Sequence, residues 1–336
     1  MNKSFIIAEL SANHGHKLET ALASVRAIAE AGVDAVKIQT YTADTLTLDC
    51  KKEDFIVSGG TLWDDTTYYD LYKKAYTPWE WHHAIFEEAK KCGIVCFSTP
   101  FDNTAVDFLE DIGNPIMKIA SFEITDVNLI RYAASKGKPM VISTGVATME
   151  DIELAIKACH EAGNHDITLL RCVSAYPAPM EDVNLRTMVD MKERFGVKVG
   201  LSDHTMGSDV AIAAVALGAE MIEKHFILDR AIGGPDAAFS MTKDEFATMV
   251  TSIRNVEKAL GKVVYPTDPS TIKGRQFSRS LYVAEDMKSG DVVTEHNVRS
   301  VRPGYGLAPK YLTEILGKKF NRDIQKGERM KLEYVR

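Results

Sequence analysis

His204 closes the run VKVGLSDH, and His225 is next to last in MIEKHF. Both runs read as short buried strands, so the two imidazoles stand at the ends of consecutive strands. Neighbouring strands lie roughly 5 Å apart, close enough for both rings to reach one ion. Two histidines leave most of a coordination shell to water and substrate oxygens. That suits an open Lewis-acid site better than a closed structural zinc. A purely structural role for the pair is the alternative.

Other strand ends carry a matching inventory. Glu9 is next to last in the run FIIAEL. Lys37 and Gln39 alternate in AVKIQ and share one strand face. Lys118 lies in IMKIAS, which ends in Ser121, with Glu123 just beyond. Ser98 and Thr99, Ser143 and Thr144, Ser174 and Tyr176, and Ser202 and Asp203 follow at later strand ends, and Glu223 and Lys224 precede His225. One serine ahead of a helix is ordinarily a cap. The set is different, because a charge inside a folded domain costs several kcal/mol unless it is paired or bound. Two lysines within a ring of hydroxyls suit a phosphate and a carboxylate on one small substrate. A Schiff base at Lys118 is the competing chemistry, and the hydroxyls argue for a charged lysine holding an anion instead.

These residues need a frame that gathers strand ends. Up to about residue 260, short β-rich runs alternate with amphipathic helical stretches: Phe5–Leu10 then Thr20–Ala31, Ala35–Gln39 then Trp79–Cys92, Val95–Thr99 then Asn103–Ile112. The series continues with Ile116–Ser121 and Val127–Ser135, Met140–Gly145 and Met149–Ala162, Ile167–Val173 and Val183–Phe195. It ends with Val197–His204 and Ser208–Leu217, then Met221–Phe226 and Lys243–Leu260. Gly32, Gly93, Gly163 and Gly218 follow helical patterns, as helix-ending glycines do. Strand and helix repeated eight times predict a parallel (β/α)8 TIM barrel of α/β class, with chemistry at the C-terminal strand ends. A doubly wound sheet is the runner-up, but AELSANHGH is no phosphate fingerprint. The barrel is expected over residues 1–261, and a Pro- and Gly-containing linker over 262–276. A small unit follows over 277–336, marginal in size and expected to pack on something.

The net charge of −7 speaks against an electrostatic nucleic-acid binder. The five cysteines are scattered and odd in number, so reduced thiols of a cytoplasmic protein are expected. No apolar run reaches the roughly 20 residues of a membrane span, and FIIA is too short for a secretion signal.

In order along the chain, AELSANHGH, VKIQTY, FSTPF, KIASFE, ISTG, CVSAYPAP, GLSDHT, EKHF and GGPDAAFS resemble the sialic acid synthase family. The tail, from RSLYVAEDMKSGDVV to VRPGYG, resembles that family's antifreeze-like SAF domain, a β-clip. AELSANH and the insertion TLWDDTTYYDLYKKAYTPWEWH resemble the family's pseudaminic acid synthase branch. The resemblance implies condensation of phosphoenolpyruvate with 2,4-diacetamido-2,4,6-trideoxy-L-altrose, assisted by Mn²⁺ or Mg²⁺. It implies that His204 and His225 hold the metal and that Glu9 is a catalytic carboxylate. Lys37, Thr99, Lys118, Ser121, Ser143 and Ser202 are then the phosphoenolpyruvate residues. Gln39, Glu123, Tyr176, Asp236, Phe277 and Arg302 fall on the sugar side. Arg302 is expected to enter the partner's barrel in a domain-swapped homodimer. Ser174 stands where sialic acid synthases often have asparagine. Sister enzymes acting on N-acetylmannosamine or the legionaminic precursor, and a non-catalytic sugar-binding barrel, are the rival readings.

The insertion holds all three tryptophans, Trp63, Trp79 and Trp81. Its spacing is neither helical nor alternating over the first half, so Thr61–Tyr76 is expected to be a loop on the catalytic face. From Pro78 onward the second barrel helix is expected, with Trp79 and Trp81 packed on the barrel. Aromatic faces suit the methyl groups of the implied sugar, which makes Trp63, Tyr68, Tyr69 and Tyr72 candidates for contact with it.

Overall fold

The computed structural model describes residues 3–58 and 64–336. The chain divides into two compact units, Met1–Gly261 and Lys262–Arg336.

The first unit is a closed barrel of eight parallel strands in sequential order. They are β1 (Phe5–Glu9), β2 (Ala35–Thr40), β3 (Val95–Pro100), β4 (Met117–Ile119), β5 (Met140–Ser143), β6 (Ile167–Cys172), β7 (Lys198–Asp203) and β8 (Met221–His225). The helices are α1 (Leu18–Glu30), α2 (Ala43–Leu46), α3 (Tyr68–Ala75), α4 (His82–Lys91), α5 (Asn103–Asp111), α6 (Val127–Ala134), α7 (Met149–Glu161), α8 (Arg186–Phe195), α9 (Asp209–Ala216) and α10 (Lys243–Leu260). Helix starts follow local chemistry. Thr148 and Thr242 form capping boxes with Asp151 and Glu245, and Asp102 caps α5. Gly32, Gly93, Gly163 and Gly218 end their helices at φ of 81°, 75°, 78° and 96°.

Strand parity divides the barrel wall. Ile6, Ala8, Val36 and Ile38 face outward into the main core beneath the helices. Ile7, Ala35 and Phe97 face inward and plug the bottom of the barrel. The next inward layer is charged: Glu9 pairs in register with Lys37 on one side and with His225 on the other. Period-two alternation thus places an apolar plug beneath a polar floor.

The insertion departs from the expected loop. Thr67 caps α3 by accepting from the Asp70 amide, and Ile56 bridges Thr67 across the excursion. Trp79–Trp81 form a 3-10 turn after Pro78, so α4 begins only at His82. Trp79 stacks on Phe108 at 4.8 Å between ring centroids, and Trp81 packs against the main core. Trp63 lies outside the described residues. The helix expected from Val183 starts at Arg186, after a 3-10 turn at Met180–Asp182 and a left-handed Asn184 with φ 47°. Strand β4 is shorter than expected, and Ser121–Glu123 form a 3-10 turn.

The second unit has its own core, with Leu281, Val283, Phe320 and Met330 at its centre. Its antiparallel pair is β9 (Ser280–Val283) and β10 (Val298–Val301), and single bridges such as Tyr282 to Arg329 and Met287 to Ile324 close it. Among the described residues no helix is long and apolar enough to cross a membrane.

Candidate active site

A cavity of about 520 Å³ opens above the polar floor at the C-terminal strand ends. Lys37 is at its centre. The ammonium lies 2.9 Å from Glu9 Oε2 and 2.8 Å from Glu223 Oε1, with all three side chains almost fully buried. Gln39 donates to the other Glu9 oxygen at 3.0 Å, and Ser202 donates to Glu223 at 3.1 Å. Lys118 donates to Ser143 Oγ at 2.8 Å and to the Ile119 carbonyl at 3.1 Å, and stands 3.8 Å from Glu223.

Burial opposes every one of these charges, and the partners decide the outcome. For Glu9, burial pushes the pKa upward, but Lys37, His225 and Lys118 outweigh it and hold the carboxyl at about 2. Glu223 is likewise held low by Lys118 and Lys37 against burial. For Lys37, burial pulls down and the two glutamates prevail, raising it. Lys118 goes the other way: burial pulls it below the usual lysine value, with Glu223 offsetting only part. Lys118 is therefore the less firmly neutralised cation of the floor.

The two histidines meet as expected from their strands, with ring centroids 5.3 Å apart. His204 Nδ1 lies 2.8 Å from the Val173 carbonyl, a geometry that places the proton on that nitrogen and leaves Nε2 as a lone-pair donor. His225 sits between Glu9 Oε2 and Asp236 Oδ2, each at 3.4 Å. Its Nδ1 is at ion-pair range of Asp236 but outside hydrogen-bond geometry, and is left buried without a hydrogen-bond partner among the described residues. Burial lowers the His225 pKa, while Glu9 and Asp236 together raise it. Tyr176 covers His204 at 4.4 Å, and Phe239 lies 5.0 Å from His225. Among the described residues no third histidine, cysteine or carboxylate completes a ready cage. A pair of histidines with an open remainder still fits a divalent ion that takes its other ligands from water and substrate.

The floor is edged by hydroxyls. Ser174 donates to Ser121 at 2.8 Å, and Ser121 accepts from the Val146 amide at 3.1 Å. Thr99 is level with Gln39 and faces inward by parity, with its Oγ1 buried and unpartnered among the described residues. Glu123 lines the cavity, and burial raises its carboxyl to about 7.

The sequence matches the NeuB family over residues 24–265 and the SAF domain over residues 278–329. The chain belongs to the NeuB family. The pseudaminic acid synthase of Campylobacter jejuni is 50% identical over 329 residues, covering 98% of this chain and 96% of that one. The pseudaminic acid synthase of Helicobacter pylori is 49% identical over 321 residues, covering 95% and 94%. The crystal structure of N-acetylneuraminic acid synthetase from Leptospira borgpetersenii in complex with citrate superposes with a TM-score of 0.71 at 32% identity. It covers 80% of this chain and 89% of that chain.

As a NeuB-family barrel, the chain brings Glu9, Lys37, Gln39, Lys118, Ser121, Glu123, Ser143, Tyr176, Ser202, His204, His225 and Asp236 to one cavity. Thr99 is not among its lining residues, and Phe277 and Arg302 belong to the second unit. Sequence reasoning passed over Tyr41, Leu71, Ala75 and Cys172, which also line the cavity. Cys172 had a signal: it ends β6 on the inward parity and lies 3.8 Å from His204 Nδ1. Glu223 was noted as a charge without a role, although it sits two residues before His225 on the same face. It joins both lysines.

Proposed function

We propose that this enzyme is a pseudaminic acid synthase. It condenses phosphoenolpyruvate, 2,4-diacetamido-2,4,6-trideoxy-L-altrose and water to give pseudaminic acid and phosphate. The observation that carries this reading is the likeness, along 98% of the chain, to an enzyme named for that product. The floor supplies chemistry to match.

Lys37 and Lys118 take the phosphate and carboxylate of phosphoenolpyruvate, and Thr99, Ser121, Ser143 and Ser202 bond the same oxygens. His204 and His225 would hold Mn²⁺ or Mg²⁺, which supplies Lewis-acid polarisation of the sugar aldehyde. In the reaction the methylene carbon of phosphoenolpyruvate bonds to C1 of the open-chain sugar as the aldehyde oxygen takes up a proton. Water adds at C2 of phosphoenolpyruvate and gives up a proton, and the bond from that C2 to the phosphate oxygen breaks to leave the keto group and free phosphate. Glu9, held ionised by Lys37, is placed to take the proton of that water or to orient a sugar hydroxyl. Gln39 fixes Glu9 through its second oxygen. Glu123, Tyr176 and Asp236 face the sugar. Phe277 and Arg302 act on the sugar side from the SAF domain, Arg302 entering the partner's barrel in a domain-swapped homodimer. A cytoplasmic location suits the free cysteines, which are expected where thiols stay reduced.

The test is a panel of sugars incubated with phosphoenolpyruvate and Mn²⁺, read by product mass and released phosphate. The diacetamido sugar is expected to give the product. Turnover of N-acetylmannosamine alone would replace the reading with that of a sialic acid synthase, and no phosphate release from any sugar would favour a binding protein.

A further inference from the structure

The residues of α3 that line the cavity are Tyr68, Leu71, Tyr72 and Ala75, spaced i, i+3, i+4 and i+7. That is the stripe a surface helix ordinarily buries against a core. The opposite side is solvated, with Asp70, Lys73 and Lys74 exposed. Tyr69 also points away, donating to Asp44 at 3.2 Å. The buried-facing stripe of α3 is thus turned toward a cavity.

That stripe is part of a larger surface. Tyr68 stacks with Tyr72 at 6.0 Å, Tyr72 meets Tyr41 edge-on at 5.8 Å, and Tyr41 meets Phe101 edge-on at 5.1 Å. All four rings line the cavity. Such a wall brings no positive charge to a trianion. Its charged neighbours Glu123 and Asp236 are acids, and burial raises the Tyr72 hydroxyl to about 12, with Tyr68 and Glu123 adding to it. Glu123 Oε2 is buried without a hydrogen-bond partner among the described residues. An apolar wall beside one unpartnered carboxyl oxygen matches an acylated amine, which presents a methyl group and a polar amide together.

We propose that Tyr68, Leu71 and Tyr72 on α3, with Tyr41, form the surface that recognises the acetamido methyl groups of the acceptor sugar, so that α3 sets acceptor specificity and the floor performs the condensation. This rests on the synthase reading above.

The experiment measures KM for sugar and for phosphoenolpyruvate in wild type, Tyr72→Ala, Leu71→Ala, Tyr72→Phe and Tyr69→Ala. Circular dichroism and melting curves accompany each variant. A sugar carrying formamido in place of one acetamido group, which deletes a methyl and nothing else, is the second acceptor. Tyr72→Ala and Leu71→Ala are expected to raise the sugar KM by about tenfold or more, with the phosphoenolpyruvate KM within about twofold. Tyr69→Ala keeps the wild-type sugar KM, and Tyr72→Phe, which retains the ring, raises it less than Tyr72→Ala does. The penalty for the formamido sugar shrinks in Tyr72→Ala, because wall and methyl act as a pair. If Tyr72→Ala fails to fold, Leu71→Ala carries the same comparison. Unchanged sugar KM in the truncated variants, or a phosphoenolpyruvate KM that rises in step, overturns the proposal while the synthase reading stands. A wild type that turns over no sugar removes the reading and the proposal together.

Discussion

Two sets of buried charges meet at β8, where Glu223 and Lys224 are consecutive residues on opposite faces, and the sets differ in how fully they are satisfied. Outside the barrel wall, Lys224 donates to Asp203 at 2.9 Å and to the Thr205 carbonyl. Asp203 also accepts from the Thr205 amide at 2.9 Å and hydroxyl at 2.7 Å. Each charge has an opposite charge and further hydrogen bonds. Inside the wall, Lys37 and Lys118 face Glu9 and Glu223, yet Glu223 Oε2 and His225 Nδ1 remain without hydrogen-bond partners among the described residues. A buried polar group left open costs stability that a closed one does not. The outer pair is a tie between strands, whereas the inner set keeps capacity for ligands.

This contrast is most exposed by replacing each set. The double variant Lys37→Met with Glu9→Gln is expected to lower kcat/KM on the order of 10³-fold or more. Stability should fall by no more than about 2 kcal/mol, since one charge of each sign leaves together and Lys118 remains beside Glu223. Phosphate release and chemical denaturation measure the two effects. A destabilised but active double variant would reverse the assignment. Asp203→Ala is expected to do the opposite. It strands Lys224 without its counter-charge and should cost about 3–5 kcal/mol. The folded fraction should keep its KM for phosphoenolpyruvate, because Asp203 does not line the cavity. Lost activity at an unchanged melting temperature would move Asp203 into the chemistry.

How far the sequence revealed this contrast follows from strand parity. Lys37 and Gln39, and Glu223 and His225, are two residues apart, so their common face could be read directly. The barrel was legible because short apolar runs alternate eight times with amphipathic helical stretches, several of them ended by glycine. The wall was not. Tyr68, Leu71, Tyr72 and Ala75 already have helical spacing, but tyrosines among Asp70, Lys73 and Lys74 make a weak apolar stripe. It faces a cavity instead of a core. The rings of Tyr41 and Phe101 join it only through the closure of the fold. Likewise, nothing in Ser202-Asp203-His204 says that the middle residue belongs to a tie with Lys224 rather than to the floor, until the register Asp203 to Lys224 is known.

Glu123 sharpens the comparison through pH. Burial raises its carboxyl to about 7 in the folded chain, from an ordinary value of 4.5. Between those values the folded state binds a proton that the unfolded state has released. This group's contribution is therefore fully present below about 4.5 and lost as pH rises through about 7. Glu123→Gln, which keeps the shape and removes the titration, should remove this fall. Relative to wild type, it should gain about 1–3 kcal/mol at pH 8 over its difference at pH 4.5. Denaturation midpoints at the two pH values measure it. Parallel curves for the two proteins would show that Glu123 ionises freely and is not part of the under-satisfied inner set.

The smallest effect concerns the hydroxyls at the edge of that set. Gly145 has no side chain where Ser121 and Ser174 meet. An added Cβ would overlap Ser174 Oγ outright and lie 2.7 Å from Ser121 Oγ and 3.1 Å from Cys172 Sγ. All three obstacles are ends of side chains, so Gly145→Ala should fold by turning the hydroxyls aside. The cost then falls on anion binding. The phosphoenolpyruvate KM should rise about tenfold, the loss expected for one displaced hydrogen bond to a charged group. Adding Ser174→Ala removes the worst overlap and lets Ser121 keep its bond from the Val146 amide, so the double variant should recover part of the loss. Recovery of the phosphoenolpyruvate KM with the sugar KM unchanged places Ser121 on the anion. A rise in the sugar KM alone would shift this edge of the floor to the sugar side and leave the lysines as the principal anion ligands.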